Sequence, residues 1–136
     1  MRYSMFPHVA LVALTFALSA EPSLAQNLTL TRSARSGIDS LIGYERAWDR
    51  SCAAKRSTVT ITRQPANGSA YVAQGTSRIP ASTPRGGDTG QCAGKAIAGN
   101  QVMYRSRAGF HGTDFVSWDV VFDGGGGHVD VTIEVR

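Results

Sequence analysis

The last stretch of the chain constrains the fold most. His128 to Arg136 (HVDVTIEVR) alternates polar and apolar residues without a break. That period of two fits a strand with one buried face and does not fit a helix. Phe115 to Phe122 behaves in the same way, with Val116, Trp118, Val120 and Phe122 on one face and Phe115, Ser117, Asp119 and Val121 on the other. Between the two runs lies Asp123-Gly124-Gly125-Gly126-Gly127, and glycine supplies the positive φ that tight hairpin loops require. The pair is predicted to form an antiparallel hairpin.

Shorter runs upstream carry the same signal. Thr58 to Arg63 places Val59 and Ile61 inward and ends at Pro65-Ala66-Asn67-Gly68, a turn sequence followed by a short return strand over Ser69 to Ala73. Gln101 to Arg105, with Val102 and Tyr104 on one side, is closed by Ala108-Gly109. Asn27 to Thr31 offers a first edge strand through Leu28 and Leu30, and Ile38 to Trp48 is either a strand with a corner or one helical turn. From Gly75 to Gln91 the chain is rich in Gly, Ser, Thr and Pro and has no period, which predicts a surface loop. About seven short strands with frequent turn signals describe an all-β chain folded as an antiparallel β-sandwich.

Residues 1–25 have the three parts of a secretory signal: Arg2 as the positive charge, an apolar stretch from Val9 to Ala20, and a small-residue cleavage site, best read as Ser23-Leu24-Ala25 with Leu18-Ser19-Ala20 as the second choice. The apolar stretch is shorter than the ~20 residues that span a bilayer. Cleavage leaves residues 26–136 as one domain with no integral membrane segment, secreted or periplasmic. The leader takes with it one of the 14 Lys and Arg and one of the 10 Asp and Glu, so the formal net charge stays at +4. A mild positive charge favours anionic polymers but is not a nucleic-acid footprint. Cys52 and Cys92 are the two cysteines of the chain, and in an exported protein they are expected to pair. The loop they would close, about 40 residues, corresponds to about 4 kcal/mol in the chain-entropy treatment.

One run is more specific. Val102-x-Tyr104, then Gly109-Phe110-x-Gly112-Thr113-Asp114, then Trp118 and the closing strand resemble bacterial Ig-like and cadherin-like repeats. Their pattern is V-x-Y-x-P-x-x-G-F-x-G-T-D-x-F-x-Y, with an upstream P-x-x-G turn matched by Pro65 and Gly68. The similarity covers roughly Thr58 to Val135. Ser106 stands where the pattern has proline, Val116 and Trp118 stand where it has Phe and Tyr, and the cysteines and the 75–91 loop are additions. The resemblance implies an Ig-like sandwich with Gly109, Phe110, Gly112, Thr113 and Asp114 as a structural corner.

Sequence patterns that carry chemistry are few. Asp114, Asp119, Asp123 and Asp130 suggest calcium, yet no D-x-D-x-D-G spacing exists and they read as solvated acids. His111 and His128 lack the spacing of metal ligands. Glu45 and Asp49, flanked by Arg46 and Arg50, read as a salt-bridged surface turn rather than a glycosidase pair. No catalytic residue and no cofactor is assigned. The most suggestive surface feature is the basic strip Arg46, Arg50, Lys55, Arg56 and Arg63 with Tyr44 and Trp48 interleaved. The expected function is a non-catalytic binding or structural module whose partner is an anionic envelope polymer or another envelope protein. The alternative is an inhibitor, or an enzyme, working through the 75–91 loop.

Overall fold

The computed structural model describes residues 26–82 and 90–136; the expected signal sequence, residues 1–25, and positions 83–89 lie outside them. Among the described residues the strands are β1 (Gln26–Ala34), β2 (Ser40–Glu45), β3 (Ala47–Trp48), β4 (Ala54–Lys55), β5 (Ser57–Arg63), β6 (Gly68–Arg78), β7 (Ala96–Ser106), β8 (Gly112–Phe122) and β9 (Gly125–Val135), with a 3-10 turn at Gly90–Cys92. Seven of them build two sheets, ordered β1-β9-β8-β5 and β2-β7-β6, while β3 and β4 pair only with each other. This is the strand order of an Ig-type sandwich whose first strand has crossed to the sheet of the last.

The closing hairpin is as expected, and longer. β8 and β9 pair from Gly112↔Val135 to Phe122↔Gly125 without a break in register. Gly125 to Gly127 therefore belong to the strand, and only Asp123 and Gly124 make the tip, with Gly124 at φ 86. A Cβ on Gly126 would sit 2.6 Å from the Val120 carbonyl oxygen, so the close strand approach demands glycine there.

The all-β sandwich of mainly antiparallel strands is as expected, with one parallel exception, and the bounds of one loop are corrected. β1 pairs with β9 in parallel over nine residues, Gln26↔Gly127 to Ala34↔Val135, so the sandwich is not wholly antiparallel. The surface loop begins later than Gly75. β6 continues to Arg78, paired with the β7 segment Ala96 to Gly99, and Ile79 beyond it is buried. That half of the ladder is held by backbone bonds beyond the main core, so its residues carry no apolar alternation.

The core lies between the sheets. Val116 and Trp118 of β8 and Val129, Val131, Ile133 and Val135 of β9 pack with Ile42, Val102 and Tyr104 of the opposing sheet, all essentially buried, and Val120 of β8 is buried as well. Burying each large apolar side chain contributes roughly 1.5–3 kcal/mol, which explains why the alternation of the last two strands is so strict. A second, small core gathers Ile79, Cys92 and Ile97 with Trp48 and Cys52. The Cys52–Cys92 disulfide crosses it, with Cα atoms 5.3 Å apart. It ties the β3–β4 hairpin to the segment that leads into β7.

Candidate functional site

Asp114 is the hub of the corner. It is 1% exposed, and its carboxylate accepts the Ala66 and Asn67 amides at 2.9 Å, its neighbour Phe115's amide at 3.0 Å and the Tyr104 hydroxyl at 3.0 Å. It thus fixes the turn after β5 to the start of β8, and no calcium role is open to it. Desolvation, reinforced by the bond to Asp114, pushes the Tyr104 hydroxyl pKa well above the ordinary 10.0. Gly109 and Gly112 take positive φ (78 and 135), and Phe110 packs on the edge of the main core. Thr113 is exposed and donates to the Glu134 carboxylate at 3.3 Å.

Glu45 is a correction. It belongs to β2, is 4% exposed, and accepts the Trp118 indole N–H at 2.9 Å. It is not part of a salt-bridged surface turn. Asp49 does sit at the exposed β3–β4 turn, where it accepts the Ser51 amide and hydroxyl and the Ala53 amide. Those bonds, led by the one from the Ser51 hydroxyl, hold its carboxyl below the usual 3.8.

The basic strip is not one face. Tyr44 and Arg46 lie together on the outer surface of the three-stranded sheet, the guanidinium 4.6 Å from the ring centroid and bonded to Ser77 Oγ at 2.6 Å. Trp48 is half-buried against the disulfide core. Arg50 and Arg56 are exposed. Lys55 sits 3.8 Å from the Asp123 carboxylate. Arg63 belongs to the other sheet, where it covers the Phe115 ring at 5.2 Å. Between Arg46 and Arg63 the chain crosses from one sheet to the other, which separates residues close in sequence.

Two constellations escaped sequence reading. On the outer face of the four-stranded sheet, His128 stands between two carboxylates, with Nδ1 2.6 Å from Asp119 and Nε2 3.3 Å from Asp130, and Ser117 Oγ donates to Asp130 at 2.6 Å. The serine bonds a carboxylate and not the imidazole, so the histidine is not placed to take its proton and no nucleophile is activated. The bond to Asp119, aided by the Asp130 charge, raises the His128 pKa above 6.5, while Ser117 is the leading cause that lowers Asp130 below 3.8. In the folded chain His128 holds a proton that the unfolded chain releases. The link is therefore complete below pH 6.5 and is lost as pH rises through the raised value; on the acid side it is lost as pH falls from 3.8 through the lowered Asp130 value. NMR titration of the His128 ring should give a midpoint above 6.5 that falls in Asp119→Asn.

The other constellation is a pair of turns at the end where β1, β7 and β9 finish. Arg35-Ser36-Gly37-Ile38 and Arg107-Ala108-Gly109-Phe110 each close a β-turn, through Ile38 N–H to Arg35 O and Phe110 N–H to Arg107 O. The shared R-x-G pattern is visible in the sequence, but the 72-residue separation (107 − 35) hides that the turns touch. Among the described residues no three His, Cys, Asp or Glu side chains converge as a metal site, and no helix is long and apolar enough to cross a membrane. Comparison with protein-family models, curated proteins and solved structures finds no match.

Proposed function

We propose that the domain is an exported, non-catalytic binding module of the bacterial envelope that docks on an anionic polymer. One observation carries the reading: most of the described cationic side chains have no carboxylate partner, while each described acid has a partner within the fold. Among the described lysine and arginine side chains only Lys55 and Arg105 lie within ion-pair distance of a carboxylate. Of the acids, Glu45 and Asp114 are buried in hydrogen bonds, and Asp119 and Asp130 flank His128. Exposed arginines with no carboxylate partner keep donors of their hydrogen-bond forks available for carboxylates outside the molecule. The disulfide suits an oxidising compartment, and the Ig-type strand order supports the likeness of the Gly109–Asp114 run to Ig-like and cadherin-like envelope domains.

The oxidised mature protein, residues 26–136, is expected to be retained at low ionic strength on immobilised polygalacturonate and not on uncharged dextran. Elution is expected as salt brings the screening length to about 8 Å or less, near and above 0.15 M. Passage through both columns at low salt would overturn the reading.

A further inference from the structure

We propose that the two R-x-G turns form the docking site itself, a cluster of arginines that grips the carboxylates of an acidic polysaccharide; this rests on the polymer-binding reading above. Both turns are built alike. Arginine stands first, and glycine stands third at positive φ (71 at Gly37, 78 at Gly109), as a type II turn requires. They lie against each other: a Cβ on Gly37 would be 3.4 Å from the Ala108 Cα, and Ser36 Oγ reaches the Arg107 carbonyl at 3.5 Å.

The third arginine is brought in by backbone. Arg136 N–H donates to Ala34 O and Ser36 N–H donates to Arg136 O, both at 2.9 Å, so Arg136 is clipped to the chain on either side of Arg35. Arg35, Arg107 and Arg136 are exposed, and none lies within ion-pair distance of a described side-chain carboxylate; Arg107 Nη2 donates to Asn67 Oδ1 at 2.7 Å, which leaves its other N–H groups for a ligand. Of the acids beside them, Asp39 is paired with Arg105, and Glu134 accepts the Thr113 hydroxyl.

Ser106 joins the turns. Its buried hydroxyl accepts the Gly37 amide at 2.9 Å and donates to Arg107 O at 3.1 Å. Proline, which the family pattern carries at this position, has no side-chain donor or acceptor and could make neither bond. The departure from the pattern is thus what couples the two arginine turns.

Carboxylate is the favoured ligand group because the same end already shows the recognition. Arg105 holds Asp39 through both Nε, at 3.0 Å, and Nη2. That two-point contact matches the planar fork of arginine to a planar carboxylate. Repeated uronate groups along a chain would supply such partners to several arginines at once.

The test compares two variants with equal charge loss in the oxidised mature protein. One is Arg35→Gln/Arg107→Gln/Arg136→Gln. The other is Arg50→Gln/Arg56→Gln/Lys95→Gln at the opposite end, where β5 and β7 begin. All six side chains are exposed, so both variants should fold, and unchanged melting temperatures check this. With polygalacturonate as probe, the first variant is expected to lose at least about tenfold in affinity and the second less than about twofold. Amide shifts on titration with an oligogalacturonate are expected at Ser36 to Ile38 and Ala108 to Phe110. Equal losses in the two variants, or shifts elsewhere, would overturn this site while leaving the polymer-binding reading intact. Failure of the unaltered protein to bind would remove both. Polyphosphate displacing polygalacturonate at a lower charge concentration would overturn the assignment to carboxylates.

Discussion

Asp114→Ala is expected to lower the stability of the domain by about 4 kcal/mol, which for a chain of this size is a fall in melting temperature of about 15–25 °C. The reason is the number of donors that one buried carboxylate satisfies. The Ala66, Asn67 and Phe115 amides and the Tyr104 hydroxyl all point at it, and a methyl group offers none of them an acceptor. Each stranded buried donor costs about 1–3 kcal/mol, less where the turn can relax toward water. Asp114→Asn keeps the shape but replaces one acceptor oxygen by a donor, so it should lie between wild type and alanine. Tyr104→Phe removes only one of the four donors and should cost about 1 kcal/mol. Urea titrations of the three variants check the order. A loss below about 1 kcal/mol for Asp114→Ala would mean that the corner is not held as the geometry indicates.

Asp114 also shows what kind of information the sequence holds. The run from Gly109 to Asp114 marks a corner, but the sequence does not say what the carboxylate holds, because Ala66, Asn67 and Tyr104 meet it only through pairing of distant strands. The closing hairpin was legible because its residues alternate around a core that makes every second position apolar. β6 beyond Ala73 and β7 before Gln101 were not legible, since there the ladder runs past the main core, and the buried positions of β7, Ile97 and Asn100, do not make an apolar alternation. Parallel pairing of β1 with β9 leaves no periodic trace distinct from antiparallel pairing. The basic strip failed as a single surface for a topological reason. The crossing between β2 and β5 puts Tyr44 and Arg46 on one sheet and Arg63 on the other. The same topology unites Arg35, Arg107 and Arg136, which no local window of sequence would group.

The second large effect is expected at Trp118, where alanine should cost about 4–5 kcal/mol. The indole is fully buried at the centre of the main core, and its N–H donates to Glu45. Deletion opens a cavity between the sheets and takes a donor from a buried carboxylate, so two destabilising effects act together. Gly43 offers a sharper check than the size of the loss. A Cβ at that position would fall within the contact radius of Trp118 Cζ2 and Cη2, in the stretch where β2 bulges past β7 between Leu41 and Gly43. Gly43→Ala alone should therefore destabilise by about 2–3 kcal/mol through overpacking against a rigid ring. In a Trp118→Leu background the ring is gone, and the added methyl group should cost less than about 1 kcal/mol or partly fill the space. The double-mutant cycle then gives a coupling of about 1–3 kcal/mol, with the double mutant more stable than additivity predicts. Additive losses would place the Trp118 ring elsewhere than over Gly43, and the contact between β2 and β8 at the middle of the sandwich would have to be redrawn.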